Sequence, residues 1–479
     1  MIQKITITLS LIFFLSLLWF ASGFLNAKAA PGISIKDKYA VMLSPQSETV
    51  QNSGVQFDQP LTHQASVTQT GNIYVFIPIV VNRYCSLPFN YNETIRYNLT
   101  KIEAEDAWAN CSQGEGITVA VVDTGIDLDH PDLQANLVSG KSFVSGTSSP
   151  DDDAGHGTHV AGAVAAVANN GGVIGVAPKA SLMPIKVLDS SGSGSIYDVV
   201  DGIEWATDNG ANVINMSLGS VSNSSLLQDA IDYAHNRDVL IVAAGGNCGD
   251  SFYFLNGCNY QDQPVYPGAD GDVMAVASTD SNDNQSSFSN EGSYIEIAAP
   301  GSSIYSTYPS GSYATLSGTS MASPHVAGLA ALIWSQNPDW SNEEVRAQMR
   351  NTADDLGSSG WDSRFGYGRI NAASAMGVQQ TTSTPNFNTT AIEINTDTDE
   401  EAPYIPGEII VKLKDDVAIN NVIEPTQLEK YEVKVAGTIE KLGVVKLTLT
   451  PGEEQTVINQ LLKSSGVAYA ELNYIVTIH

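Results

Sequence analysis

The chain has 479 residues, with 52 acidic against 22 basic side chains, a formal net charge of −30 and four cysteines. That length exceeds what one hydrophobic core supports and predicts two or three domains. So acidic a surface argues against nucleic acid or anionic lipid as partner and favours solubility and bound cations.

The first thirty residues read as a secretory signal. Lys4 precedes an apolar run from Ile5 to Ala21, and Ala27-Lys28-Ala29 offers a small-x-small cleavage site. An uncleaved membrane anchor is the weaker alternative, because the run is short for a bilayer; no later stretch could span one. The expected product is extracellular and free of the membrane. In an exported chain an even cysteine count without a CxxC favours disulfides over zinc. Of the three possible pairings, Cys85–Cys111 and Cys248–Cys258 close the shortest loops and are preferred.

Residues 31–94 form a polar extension with one strand-like run, "IYVFIPIVV" (73–81), whose role the sequence does not reveal. The pattern then changes, and 95–376 is expected to be one domain. "KIEAEDAWA" reads as a helix and "GITVAVVD" as a buried strand. After them, the β-rich runs "ASLMPIKVLD", "ANVINMSLG", "DVLIVAAGGN" and "DVMAVAST" alternate with the helical "SIYDVVDGIEWATDNG" and "LLQDAIDYAHNR". Such alternation predicts an α/β fold, a doubly wound, mostly parallel sheet covered by helices on both faces. The region holds 33 acids and 10 bases, 10 − 33 = −23, so most of the charge lies here.

Residues 377–402 are rich in Thr, Asn and Asp without apolar period, which marks a linker. Beyond it, 403–479 carries 10 acids and 7 bases, 7 − 10 = −3. "GEIIVKLK" is a strand, "PTQLEKY" a short helix or turn, and "KVAGTIEKL" with "VVKLTLT" a hairpin around Gly443. "GEEQTVINQLLKSSG" is a helix with Val457, Ile458, Leu461 and Leu462 on one face, and "VAYAELNY" is a last strand. The order βαββαβ predicts a small α+β ferredoxin-like domain.

Reactive groups of an open parallel sheet collect at the carboxyl ends of its strands. "ITVAVVDTGID" puts Asp123 at such an end, "DDDAGHGTHVAG" puts His156 in a glycine-flanked turn opening a helix, and "SGTSMASPHVAGLAAL" puts Ser320 at the mouth of another. A serine hydroxyl needs a histidine to take its proton and a carboxylate to orient that histidine. Singly, each residue is more commonly a turn or packing residue; together, in this order, they point to hydrolysis. "GTSMA" is not the G-x-S-x-G elbow of an α/β-hydrolase.

These stretches resemble the subtilisin-like serine proteases over roughly 95–376. The resemblance implies a secreted endopeptidase acting on proteins or peptides, with Asp123 orienting, His156 as general base and acid, Ser320 as nucleophile and no catalytic cofactor. Asn247 in "VAAGGN" matches the family's oxyanion-hole asparagine, working with the backbone N–H of Ser320, whereas His159 and His325 become structural. Substrate would add a strand along "MSLGS" (216–220). Ser217, Leu218 and Gly219 with Ala243, Ala244 and Gly245 would wall the S1 pocket, and Val265 would give it an apolar floor suited to a large unbranched P1. A structural Ca²⁺ carries over too, on Asp132, the carbonyls of Val167, Gly171 and Val173, and the Asn169 side chain, a hard-oxygen set; an Asn/Gly turn without metal is the plain alternative. Cys248 follows Asn247 directly, so its bridge to Cys258 would brace the oxyanion loop. The rival class, a silent binding protein on the same fold, predicts a degraded triad, and the triad is intact.

"YIPGEIIVKLK" and "GVAYAELNYIVTI" resemble the first and last strands of the same family's inhibitory propeptide, which there precedes the protease. Here it comes after. Five residues separate the family's equivalent of Tyr474 from its cleavage point, and five lie beyond Tyr474 here. The resemblance therefore implies a cis inhibitor or folding chaperone whose tail lies in the substrate cleft: His479 at S1, Ile478 at S2, Val476 in the apolar S4 pocket, and a terminal carboxylate beside Ser320 mimicking a cleaved product. The linker's 26 residues (402 − 377 + 1) reach about 86 Å extended, ample to round such a domain. A monomer is expected.

Overall fold

The computed structural model describes residues 96–109, 112–169, 171–250, 257–377, 402–414, 417–423 and 428–478. The proposed signal segment, the extension with "IYVFIPIVV", all but the two ends of the linker, Cys85, Cys111 and His479 lie outside the described residues.

The expected strand–helix alternation is present. Strands β1 (Thr118–Asp123), β2 (Lys141–Ser142), β3 (Ser181–Lys186), β5 (Val213–Met216), β7 (Leu240–Ala244), β8 (Val273–Thr279) and β9 (Ile295–Pro300) make one sheet in the order β2-β3-β1-β5-β7-β8-β9. Every pairing in it is parallel. Its central strands are buried on both faces, which is why they read as unbroken apolar runs rather than alternating ones. The chain leaves β1 toward β3 on one side and later returns to β5 on the other, so the strand order reverses at the carboxyl end of β1, where a crevice must open.

The helices that frame this crevice and the domain contact are α1 (Tyr97–Lys101), α2 (Ala104–Trp108), α3 (His156–Ala165), α4 (Ile196–Asp208), α5 (Ser225–His235) and α6 (Thr319–Gln336). The single helix expected over 101–109 is instead the pair α1 and α2, broken at Glu103, which adopts φ 56°. Leu99 and Ile102 lie on one face and Ala104, Ala107 and Trp108 on another; the break lets both sets enter the same core. α6 is buried from Thr319 to Trp334, consistent with its run of small residues. Strand β9 and the hairpin β10 (Ile304–Tyr308) and β11 (Ser312–Leu316) are elements that the sequence pattern did not single out.

The C-terminal region has the expected topology. Strands β12 (Tyr404–Leu413), β13 (Lys434–Ile439), β14 (Val444–Thr448) and β15 (Val467–Ile478) lie antiparallel in the order β13-β14-β12-β15. The expected short helix or turn at "PTQLEKY" is a 3-10 turn, Leu428–Tyr431, preceded in the same crossover by a four-residue helix, Asn420–Ile423, while the second crossover helix, Glu454–Leu461, is full. Gly443 turns the hairpin at φ 62°, a conformation costly for a side chain. One sheet face packs Ile409, Val411, Val445 and Leu447 on Val457, Ile458 and Leu461. The other face gives Ile410, Ile439, Leu442 and Val444 to an apolar cluster that includes Ile196 and Val200 of α4 and Leu226 and Ile231 of α5. β15 then outruns its own domain: past Tyr474 it leaves β12 and pairs with β4 (Ser193–Ser195) and β6 (Leu218–Gly219).

Candidate active site

Asp123 ends β1 with no exposed surface. Its Oδ1 accepts from Thr124 N at 2.7 Å, and His156 Nδ1 lies 2.8 Å from Oδ1 and 3.0 Å from Oδ2. A carboxylate only accepts, so Nδ1 carries the hydrogen and Nε2 keeps its lone pair. His156 is the first residue of α3, and this helix can start against β1 because residue 157 is glycine: a Cβ there would sit 2.1 Å from Gly125 O and 3.1 Å from Asp123 Cβ. Burial by itself would push the imidazole pKa down, but the charge and hydrogen bond of Asp123, with Asp152 behind, reverse this and raise it.

Ser320 is the second residue of α6, and its Oγ donates to Ser217 O at 3.0 Å. Val122 of β1 pairs with Met216 of β5, so Asp123 and Ser217 are the next residues on adjoining strands, about 5 Å apart by ordinary sheet spacing. That places the serine helix on the same rim as Asp123. Ser217 Oγ bonds Ser320 O at 2.9 Å and Ser323 Oγ at 2.8 Å, fixing the helix mouth to the strand end. Asn247 Oδ1 accepts from Thr319 N at 3.0 Å and Thr319 Oγ at 2.9 Å. With its carbonyl end held there, the Asn247 side chain keeps its NH₂ end as the donor. The rim thus carries a hydrogen-bonded carboxylate–imidazole pair and, at the neighbouring strand end, a serine at a helix mouth braced by Ser217 and Asn247.

His159 and His325 are buried, and burial lowers both to about 4, so they stay neutral. His159 Nε2 donates to Ile304 O, and His325 Nδ1 to Met321 O while its Nε2 accepts from Asn98.

Around this rim, Cys248–Cys258 is a disulfide, buried with Val265 in one small apolar cluster beside Asn247. Ala243, Ala244 and Gly245 are buried at the end of β7. Leu218 is buried: its side chain joins the large apolar cluster that also takes up Val476, and its backbone pairs with Ile478. A leucine on an extended edge lends backbone to one neighbour and side chain to the cluster beneath.

The segment after Tyr474 lies between two edges. Ile475, Val476 and Thr477 pair with Ser195, Gly194 and Ser193, and Thr477 and Ile478 with Gly219 and Leu218, antiparallel on both sides. Ile478 N donates to Gly192 O at 3.1 Å, and a Cβ on Gly192 would come within 2.8 Å of Ile478 Cδ1. Val476 has no exposed surface and shares its cluster with Leu188, Ile196 and Leu218.

Sequence reasoning missed the residues that dock the C-terminal domain. The Glu471 carboxylate accepts from Ser224 Oγ at 2.5 Å, Ser225 N at 3.1 Å and Leu226 N at 3.2 Å, at the start of α5. Asn473 Oδ1 accepts from Tyr197 N at 3.2 Å at the start of α4. Lys412 and Tyr469 both reach Asp229, and Lys441 pairs with Asp208. Alternating polar residues on a strand read as a solvent face; nothing local signals that two helix N-termini wait opposite.

At the expected calcium loop, Val167 N donates to Asp132 O, and Asn169 Nδ2, Val173 N and Tyr313 Oη donate to the Asp132 carboxylate at 3.0, 3.1 and 2.8 Å. These bonds close the segment on Asp132, but Asn169 offers its NH₂ where a cation would need its oxygen; turning the amide over supplies it. Among the described residues no group of three His, Cys, Asp or Glu could hold a metal, so Ca²⁺ here would rest on one carboxylate, one amide and the three carbonyls, a set that fits a hard ion.

The profile described as the subtilase family matches residues 114–368, more than half the chain. The chain belongs to the subtilase family. It is 48% identical over 287 residues to thermitase of Thermoactinomyces vulgaris, covering 60% of this chain and 97% of that one. It is 49% identical to subtilisin DY of Bacillus licheniformis and 46% identical to subtilisin Savinase of Lederbergia lenta, each over 283 residues, 59% of this chain and 99% of theirs. This subtilase is a serine endopeptidase. A second profile, the fervidolysin N-terminal prodomain, matches residues 390–473, so a domain named for a position before the protease here comes after it. No described helix of this subtilase is long and apolar enough to cross a membrane.

Proposed function

We propose that this subtilase is secreted and self-restrained: Ser320, His156 and Asp123 hydrolyse peptide bonds, and the C-terminal domain acts as chaperone and cis inhibitor by keeping its last strand in the substrate cleft. The reading rests on one observation above all, the antiparallel pairing of 475–478 between Ser193–Ser195 and Leu218–Gly219, the geometry an extended substrate would use. On this reading Ile478 takes S2 and Val476 takes S4, while the expected S1 residue, His479, lies outside the described residues. A tethered inhibitor acts at an effective concentration of about millimolar, so weak intrinsic affinity suffices.

In turnover, Ser320 Oγ gives its proton to His156 Nε2 as it attacks the substrate carbonyl. The imidazolium so formed is stabilised by Asp123, and the oxyanion by Asn247 and the Ser320 N–H. The proton then passes to the departing amine, and water repeats the cycle on the acyl-enzyme. Because the His156 pKa is raised above its ordinary value of 6.5, kcat/KM should fall on acidification through a value above 6.5. A Ca²⁺ ion at Asp132 would tie the 167–173 loop to the core, and chelation should then lower thermal stability. A serine-directed phosphonate tests the chemistry: labelling must vanish in Ser320→Ala. Removing residues 475–479 tests the restraint; unchanged peptidase activity would defeat it.

A further inference from the structure

The motif "DDDAGHG" contains three adjacent aspartates with three different fates. Asp151 is exposed and accepts from Leu128 N at 3.1 Å. Asp153 is paired at 2.5 Å with Lys186, a fully buried lysine whose Nζ also donates to Thr124 O and Leu188 O. Asp152 is buried, and among the described residues it has no ion-pair partner. Its Oδ1 accepts from Thr124 Oγ at 2.8 Å, Ala154 N at 2.9 Å and Gly155 N at 2.8 Å, and its Oδ2 from Thr158 N at 2.9 Å and Thr158 Oγ at 2.6 Å.

We propose that Asp152 is a positioning residue for the Asp123–His156 pair, locking the start of α3 to the end of β1 while presenting a second, unneutralised carboxylate to the imidazole. The two hydroxyls it binds are two-way links. Thr124, next to Asp123, accepts from Gly157 N at 2.9 Å, and Thr158 accepts from Asp127 N at 2.9 Å. One carboxylate thus joins the residue after Asp123, the turn before His156 and the first turn of α3, whose cap residue Gly155 has no side chain to do so. The carboxylate sits at the start of α3, where the backbone N–H groups of Ala154, Gly155 and Thr158 converge on it. Among the described residues, the charged or titratable groups that act on His156 are Asp123 from β1, Asp152 from the turn and His159 from its own helix; the Lys186 ammonium at Thr124 is paired with Asp153. Asp152 therefore favours the imidazolium that forms when Ser320 gives up its proton.

This inference rests on the proposed triad, and the test separates the two. The protein lacking only residues 475–479, alongside the full chain, is titrated with a serine-directed phosphonate so that rates are expressed per active site. Asp152→Asn should lower kcat by about tenfold or more with KM nearly constant, and should move the acid limb of kcat/KM to lower pH by about half a unit, because one negative charge facing His156 is gone. Thr124→Val, which cuts the link but keeps the charge, should lower kcat and leave the acid limb in place. An Asp152→Asn enzyme with the original acid limb per titrated site overturns the electrostatic role. Should that variant fail to fold, unchanged kcat in Thr124→Val overturns the positioning role. Failure of the protein lacking residues 475–479, otherwise unaltered, to label at all would instead overturn the triad itself.

Discussion

The two folded regions of this subtilase are built on opposite principles. The protease region is organised around itself: a parallel sheet covered on both faces, with α6 buried almost end to end in its middle. The C-terminal domain is organised half around its neighbour. One face of its four strands covers its own small core, and the other gives Ile410, Ile439, Leu442 and Val444 to the cluster that holds the apolar faces of α4 and α5. A domain of this size supplies only a few kcal/mol from its own core. Docking and folding are therefore coupled in the small domain and nearly independent in the large one. A chaperone role obeys the same logic in reverse, because α4 and α5 offer their N-termini to Glu471 and Asn473.

That contrast can be broken at its weakest point. Ile409→Ala, in the small domain's own core, should cost about 2–5 kcal/mol, enough to unfold it. The expected outcome is loss of one thermal transition and a rise in peptidase activity, with the protease transition unmoved. If both transitions fell together, the regions would be one cooperative unit. The converse change belongs to the large region. Asn247→Ala should lower kcat by about two to three orders of magnitude, a size known from subtilisins themselves, with KM and docking little changed. Steady-state kinetics of the tail-deleted protein reads it directly.

The interface itself sharpens the comparison with a smaller effect. Glu471→Ala removes its bonds to Ser224, Ser225 and Leu226 and should cost about 1–3 kcal/mol of docking, measured as weaker inhibition by the domain. Burial raises the Glu471 pKa, with Asp229 adding to it, against the opposing hydrogen bonds. A carboxyl whose pKa is raised on docking binds its proton better in the docked state. Restraint is therefore strongest below the free carboxyl's range and declines as pH rises through the raised value. Glu471→Gln should flatten that dependence; an unaltered profile would assign the pH effect to Asp198 and Asp201, whose pKa values are also raised by burial.

Much of this arrangement was legible in the amino-acid sequence because it is written locally. Strand and helix periods are short, and "VVDTGID", "GHGTHVAG" and "GTSMASPHVAG" each carry a residue of the proposed triad with the glycines and small residues that let it sit where it does. Topology in the C-terminal domain could be read from element order alone. The break at Glu103 was hidden because local propensity favours one helix, while the demand to bury Leu99 and Trp108 in the same core comes from elsewhere.

What only the tertiary structure decided are the partners of polar side chains far apart in the chain. The sequence could name Asp152 as one acid of three but not its bonds to Thr124 and Thr158, and Glu471 as a polar strand position but not the helix it meets 245 residues away. The reason is physical. Whether a carboxylate is a solvated surface charge or a buried anchor depends on which donors surround it, and those donors are brought together by the packing of the apolar residues between them.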